Sequence, residues 1–225
     1  YLTWYIKNVV GLDADVAAGS ILSGQFADGL MTPLVGLLSD KYTTRWGKRT
    51  PWYVFGTLLV IPTFAGIFSY PSFINTCHSE AECAWMPTRQ ALWYITMPAI
   101  FNIGWAAVQI SNMSVVNQIT LDHKKRYALI SYRNGFTSFA NFFVLLCALY
   151  LFAVLPCSRV QQFQYLTLLC LPFGTACSLF YLFYIRETKL EEIAVELERR
   201  FKEVQMVALQ NNSHAASVTR DTTAK

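Results

Sequence analysis

One acidic residue stands where charge is costly. Asp28 is the only Asp, Glu, Lys or Arg between Val16 and Ser39, a stretch long enough to cross a bilayer. An ionisable side chain at that depth faces a cavity or a partner inside a helical bundle. Gln25, Asp28 and Thr32 fall at i, i+3 and i+7, so they share one helix face. Two readings stay open: a proton or substrate site, or a protonated Asp bonded to a neighbouring helix. A second polar stripe, Asn102, Trp105, Gln109 and Asn112, repeats the spacing, and a third runs through Asn134, Thr137 or Ser138, and Asn141, with Arg133 at its mouth. Polar groups in a bilayer must be satisfied within the protein. One such stripe can be helix–helix glue; three meeting in a cavity suit the passage of a hydrophilic solute.

The densest charged motif is Gly36-Leu-Leu-Ser-Asp40-Lys-Tyr-Thr-Thr-Arg45-Trp-Gly47-Lys48-Arg49-Thr-Pro51-Trp52. A Gly four residues before an Asp lets a helix end approach a neighbour closely. Asp40 then sits at the membrane edge among Arg45, Lys48 and Arg49. Such a cluster can latch one bundle to another through ion pairs and a helix end, and release it when the bundles rock apart. The plainer reading is a basic anchoring loop, which does not require Gly36, Asp40 and Gly47 at these spacings.

Other chemistries find no support. No nucleophile–base set, phosphate-cradling loop or metal-binding spacing occurs, which excludes an enzyme, a cofactor and a metal centre from the expectations. Cys77 and Cys83 flank His78 in one connection and can form a local disulfide, with Cys157 as an alternative partner for either. Cys147, Cys170 and Cys177 read as small apolar fillers.

The elements that position these residues follow from where charge is missing. Hydrophobic residues make up 54% of the 225 and charged ones 14%, far below the usual quarter in soluble domains. The net charge of +4 is too small for a nucleic-acid binder. Charge-poor stretches predict five membrane-crossing helices at roughly 17–38, 52–72, 92–115, 134–155 and 162–184. Tyr1 to Ile6 reads as the end of a truncated earlier span. Fifteen of the 18 Lys and Arg fall in 40–51, 122–133 and the tail from Arg186, which puts those segments in the cytosol. Tyr1 then lies on the other side. Residues 1–185 form the membrane bundle, and 186–225 a cytosolic amphipathic helix and a disordered linker. In that helix, Glu187 to Val204, an apolar stripe runs through Leu190, Ile193, Leu197, Phe201 and Val204, with Glu196/Arg200 and Glu198/Lys202 paired at i, i+4. It is read as a connector on the membrane face, with a partner-binding coil as the alternative.

Asp28-Gly-x-x-Thr32-Pro33-Leu-Val-Gly36, then Asp40 and Arg45-Trp-Gly-Lys-Arg-x-Pro51-Trp52, resembles the glycoside–pentoside–hexuronide cation symporter branch of the major facilitator superfamily. Thr120-Leu-Asp122-His-Lys-Lys-Arg126, with Arg133 and Phe136, adds to the resemblance as the loop after the fourth helix. It implies an all-α membrane fold of twelve helices in two halves, of which this chain is most of the first. The missing second half is then a partner, along with the bilayer, a small polar solute and a coupling cation. The sugar symporters of that branch use two carboxylates one turn apart on the second helix and one on the fourth. Here those positions hold Asp28, Thr32 and Gln109, which argues against sodium coupling of that kind and leaves one acid as a proton carrier. Gly24-Gln-x-Ala-Asp-Gly-Leu30 and Phe101-Asn-x-Gly-Trp105-Ala-x-x-Gln109-Ile-Ser-Asn112 resemble one group within the branch more closely. That resemblance implies cysteine import into lysosome-like organelles; the wider branch implies sugars, another amino acid stays open, and the plasma membrane is the alternative site. A non-transporting scaffold or sensor acting through the tail helix is the rival of another class.

Overall fold

The computed structural model describes residues 2–42, 44–69, 71, 74, 76, 80–119, 122–190, 192–193, 195–197, 199–200 and 202–206. A short helix α1 (Leu2–Tyr5) continues as a π-helical turn, Ile6–Val10. Gly11 ends that turn with φ 81°, and its N–H returns to the Ile6 carbonyl. Five long helices follow: α2 (Ala14–Lys41), α3 (Thr50–Phe68), α4 (Glu80–Ile119), α5 (His123–Val154) and α6 (Arg159–Tyr184). Each is long and apolar enough to cross a membrane, which agrees with the expected all-α class.

The ends depart from the expected spans for physical reasons. α3 stops at Phe68, short of 72, because Pro71 disfavours helix in the residue before it and cannot donate a helical N–H. α4 begins more than three turns before 92, since Glu and Arg are good helix formers and charge ends a membrane span without ending a helix. The same reasoning corrects the basic segment 122–133. Arg126 and Arg133 stand on the first turns of α5 and not in a loop, and Asp122 caps that helix by accepting from the Lys124 N–H at 2.9 Å. Ser158 and Gln161 form a reciprocal capping box at the start of α6.

α4 is the central helix, with α2 on one side and α3 on the other. Against α2, Gly19 faces Ile95, the Ser23 hydroxyl donates to the Ile95 carbonyl at 2.8 Å, and Gly24 faces Asn102. Numbers rise together, so α2 and α4 run the same way. Against α3, Gly56 faces Gly104 and Gly66 faces Trp93, so those two run oppositely. A Cβ on Gly104 would lie 2.8 Å from the Gly56 carbonyl oxygen and 2.9 Å from Leu59 Cβ. Only glycine permits that crossing. Gly104→Ala is therefore expected to destabilise the detergent-solubilised protein by about 1–3 kcal/mol. Gly174→Ala, where no atom lies within 4 Å, is expected to raise stability by about 0.5–1 kcal/mol. Thermal unfolding of both variants checks the opposite signs.

The end of the bundle near α1 is held by rings. Tyr5 and Ile6 are fully buried with Ala17, Tyr94 and Phe163. The Tyr5 ring lies 4.9 Å from Phe163 and 5.2 Å from Phe68, and its hydroxyl donates to the Phe68 carbonyl at 3.4 Å. Outward faces carry large apolar side chains such as Leu22, Phe26, Leu37, Phe136 and Phe183, each more than 70% exposed. Water does not tolerate such a surface; lipid does.

Candidate functional site

At the basic end, Lys41 closes α2 and a tight turn leads into α3. Thr44 and Gly47 exchange backbone N–H···O bonds of 3.1 Å each way, and the Thr44 hydroxyl donates to the Gly47 carbonyl at 2.7 Å. Gly47 has φ 107°, which side-chain-bearing residues rarely adopt. The Arg49 guanidinium donates to the Asp40 carboxylate and the Ser39 hydroxyl, tying the turn back to the end of α2. Its side chain is 12% exposed, against 67% for Asp40. Asp40 and Arg49 of the expected latch thus meet directly. Lys48 joins through its backbone; Arg45 and Trp46 project from the tip of the turn. Gly36 has no atom within 4 Å of where a Cβ would stand, so its open face contacts nothing described.

Sequence reasoning missed the buried member of this cluster. Glu187, 2% exposed, reaches back from just beyond α6 to the start of α3. Its carboxylate accepts from the backbone N–H groups of Lys48 (3.0 Å), Arg49 (2.8 and 2.9 Å) and Thr50 (2.7 Å), and from the Thr50 hydroxyl (2.9 Å). The N-cap residue of α3, Arg49, supplies no side-chain cap, and Pro51 has no N–H. The unsatisfied donors at the helix start are therefore answered by an anion from 137 residues away, with the helix dipole in its favour. A Cβ at Gly47 would stand inside the space Glu187 occupies. Two signals were available: a helix start lacking its own cap, and the first acid after the last charge-free span.

The polar residues of the spans are less gathered. Asp28 and Thr32 are half-buried in α2 and Gln25 is exposed. No hydrogen bond or ion pair reaches the Asp28 carboxylate among the described residues. Asn102 donates to the Pro98 carbonyl at 2.8 Å and packs against Gly24, one turn above Asp28. Continued by that turn, the register sets Asp28 level with residues 102–106. Gln109 and Asn112 are half-buried further along α4. Trp105 stacks on Phe101 at 6.3 Å and lines a 240 Å³ groove with α3 and α6, to which α2 contributes nothing. Asn141 borders an adjoining 540 Å³ groove of mainly apolar residues, Phe142 and Leu145 among them, which shares Phe64 and Cys170 with the first. Asn102 lies beside the helix that carries Asp28; Trp105 and Asn141 line two other grooves. Arg133 donates to the Met113 sulfur at 3.1 Å, joining α5 to α4, and Arg126 is half-buried one turn from the Asp122 cap.

Cys77 of the expected disulfide lies outside the described residues; Cys147, Cys157, Cys170 and Cys177 are free thiols. Among the described residues no three His, Cys, Asp or Glu side chains gather as metal ligands. In the tail, Glu196 pairs with Arg200 at 3.1 Å, and Arg199 pairs with Glu203 at 3.3 Å. The side chains of Glu198 and Phe201 lie outside the described residues. Ile193, Leu197 and Val204 are exposed, and Leu190 is half-buried.

The sequence that folds into these five membrane-length helices and their Gly-Lys-Arg turn is matched over residues 1–207 by the family of MFS/sugar transport proteins. The chain belongs to that family. It is 33% identical over 167 residues to major facilitator superfamily domain-containing protein 12 of Homo sapiens, covering 73% of this chain and 33% of the relative. An uncharacterized symporter of Synechocystis is 24% identical over 92% of this chain and 37% of its own. The sodium-dependent lysophosphatidylcholine symporter 1 of Gallus gallus is 23% identical over 59% and 26%. The chain thus spans little more than a third of the length of these relatives at most. Membership makes it a multi-pass membrane protein of a transporter family related to the glycoside–pentoside–hexuronide symporters.

Proposed function

We propose that the whole protein moves a small polar solute across its membrane by alternating access, with Asp28 as the proton-carrying group. The observation that carries this reading is Asp28 itself, a half-buried acid in the middle of α2 that no hydrogen bond or ion pair reaches among the described residues, level with residues 102–106 of α4. An ionisable group at that depth of a membrane-crossing helix is the residue type that marks a solute or ion route. Thr32, Asn102, Gln109 and Asn112 are assigned to the route beside Asp28, with Gln25 at its exposed edge and Trp105 and Asn141 in the grooves on its flank. Asp40 with Arg45, Lys48 and Arg49 forms the latch on the cytosolic side, where the basic residues concentrate.

Resemblance to the domain-containing-12 group favours cysteine as solute and a lysosome-like membrane. The description of the family as sugar transport proteins favours a sugar. The avian relative's name gives sodium as a rival to the proton. Uptake of cysteine, other amino acids and sugars into vesicles holding the full-length protein, at two pH values with and without sodium, separates these readings. Accumulation of a solute driven by a pH gradient without sodium is the expected result. Accumulation only with sodium would reject proton coupling, and no flux of any solute would favour the scaffold reading.

A further inference from the structure

Glu187 belongs to neither α2 nor α3, yet it organises the turn between them. Three backbone N–H groups and a hydroxyl converge on one buried carboxylate. The same residue, Arg49, gives its backbone N–H to Glu187 and its guanidinium to Asp40 and Ser39. The angle at which Arg49 meets α2 is therefore set by the seat of Glu187. Glu187 is also the first helical residue of the tail, whose next turns carry exposed apolar side chains and ion pairs of their own. A carboxylate held by this many donors is either seated or withdrawn, because partial withdrawal leaves buried N–H groups unanswered.

We propose that Glu187 is the positioning residue of the cytosolic gate. Seated, it holds the 47–50 turn so that Arg49 pairs with Asp40; withdrawn by movement of the tail helix, it frees the turn and the pair together. The tail thereby reports its position to the gate. This inference rests on the latch reading of Asp40 and Arg49, and the test keeps the two separable.

The test uses the full-length protein in a cysteine-free background with Asn112→Cys as reporter, labelled by a membrane-impermeant maleimide from the cytosolic side. Backbone amide exchange at residues 48–50 is measured in parallel. Asp40→Asn breaks the latch alone. Glu187→Gln keeps the shape but turns an NH₂ group toward donors that need an acceptor. Thr50→Val removes one donor only, as a milder variant should Glu187→Gln fail to fold. The expected result is faster labelling in Asp40→Asn and in Glu187→Gln. Exchange at 48–50 is expected to rise about tenfold or more in Glu187→Gln, a smaller step in Thr50→Val, and little in Asp40→Asn. Faster labelling in Asp40→Asn with none in Glu187→Gln or Thr50→Val overturns the role of Glu187 and leaves the latch standing. Unchanged labelling in all three removes the latch reading itself. Faster labelling in Glu187→Gln without any in Asp40→Asn shows that Glu187 acts other than through the pair, which also overturns the proposal.

Discussion

Asp28→Asn is expected to abolish uphill accumulation of solute while sparing exchange of solute across the membrane. The substitution keeps the size and imitates the protonated acid, with one donor and one acceptor side, but can no longer gain or lose a proton. If Asp28 carries the coupling proton, a pH gradient then has nothing to act on, and accumulation should fall by roughly a hundredfold or more, the scale at which a single coupling group outweighs ordinary binding effects. Counterflow, which needs the route but no driving force, should remain within a few fold. Proteoliposomes with an imposed pH gradient measure the first, and preloaded vesicles the second. Loss of both would mean that Asp28 holds the solute or the fold. Retention of both would remove Asp28 from the mechanism.

Gly47→Ala is expected to be the most damaging single change to stability among residues outside the spans. Two costs fall together at that position. A side chain at φ 107° is strained by about 1–3 kcal/mol. The added methyl also intrudes on the Glu187 carboxylate, and each buried donor it leaves unanswered costs about 1–3 kcal/mol. A combined loss of about 3 kcal/mol or more should appear as a clear drop in the thermal midpoint of the purified full-length protein. By contrast the Asp40–Arg49 pair is two-thirds exposed at its acid end, so Asp40→Asn should cost about 1 kcal/mol or less. A Gly47→Ala protein as stable as wild type would contradict the capping geometry.

That contrast bears on what the sequence could reveal. Asp40 and Arg49 are nine residues apart, and opposite charges around a turn suggest their meeting before any fold is known. The partnership of Glu187 with residues 48–50 spans the whole bundle, and no local pattern encodes it. Five spans were legible because twenty apolar residues in a row have few other uses. Their ends were less so: Arg126 and Arg133 look like loop residues by charge, yet Asp122 starts a helix that includes them. The polar stripes illustrate a further limit. Spacing places Asn102 and Trp105 on one stripe of one helix, but only packing shows that Gly24 claims the first while α3 and α6 surround the second.

The two ends of the bundle answer to different solvents. Around Tyr5 the contacts are rings against rings, and salts that strengthen apolar burial tighten them. At the other end the Asp40–Arg49 pair, exposed on its acid side, weakens as ionic strength rises. Salt is therefore a handle that firms one end while loosening the other.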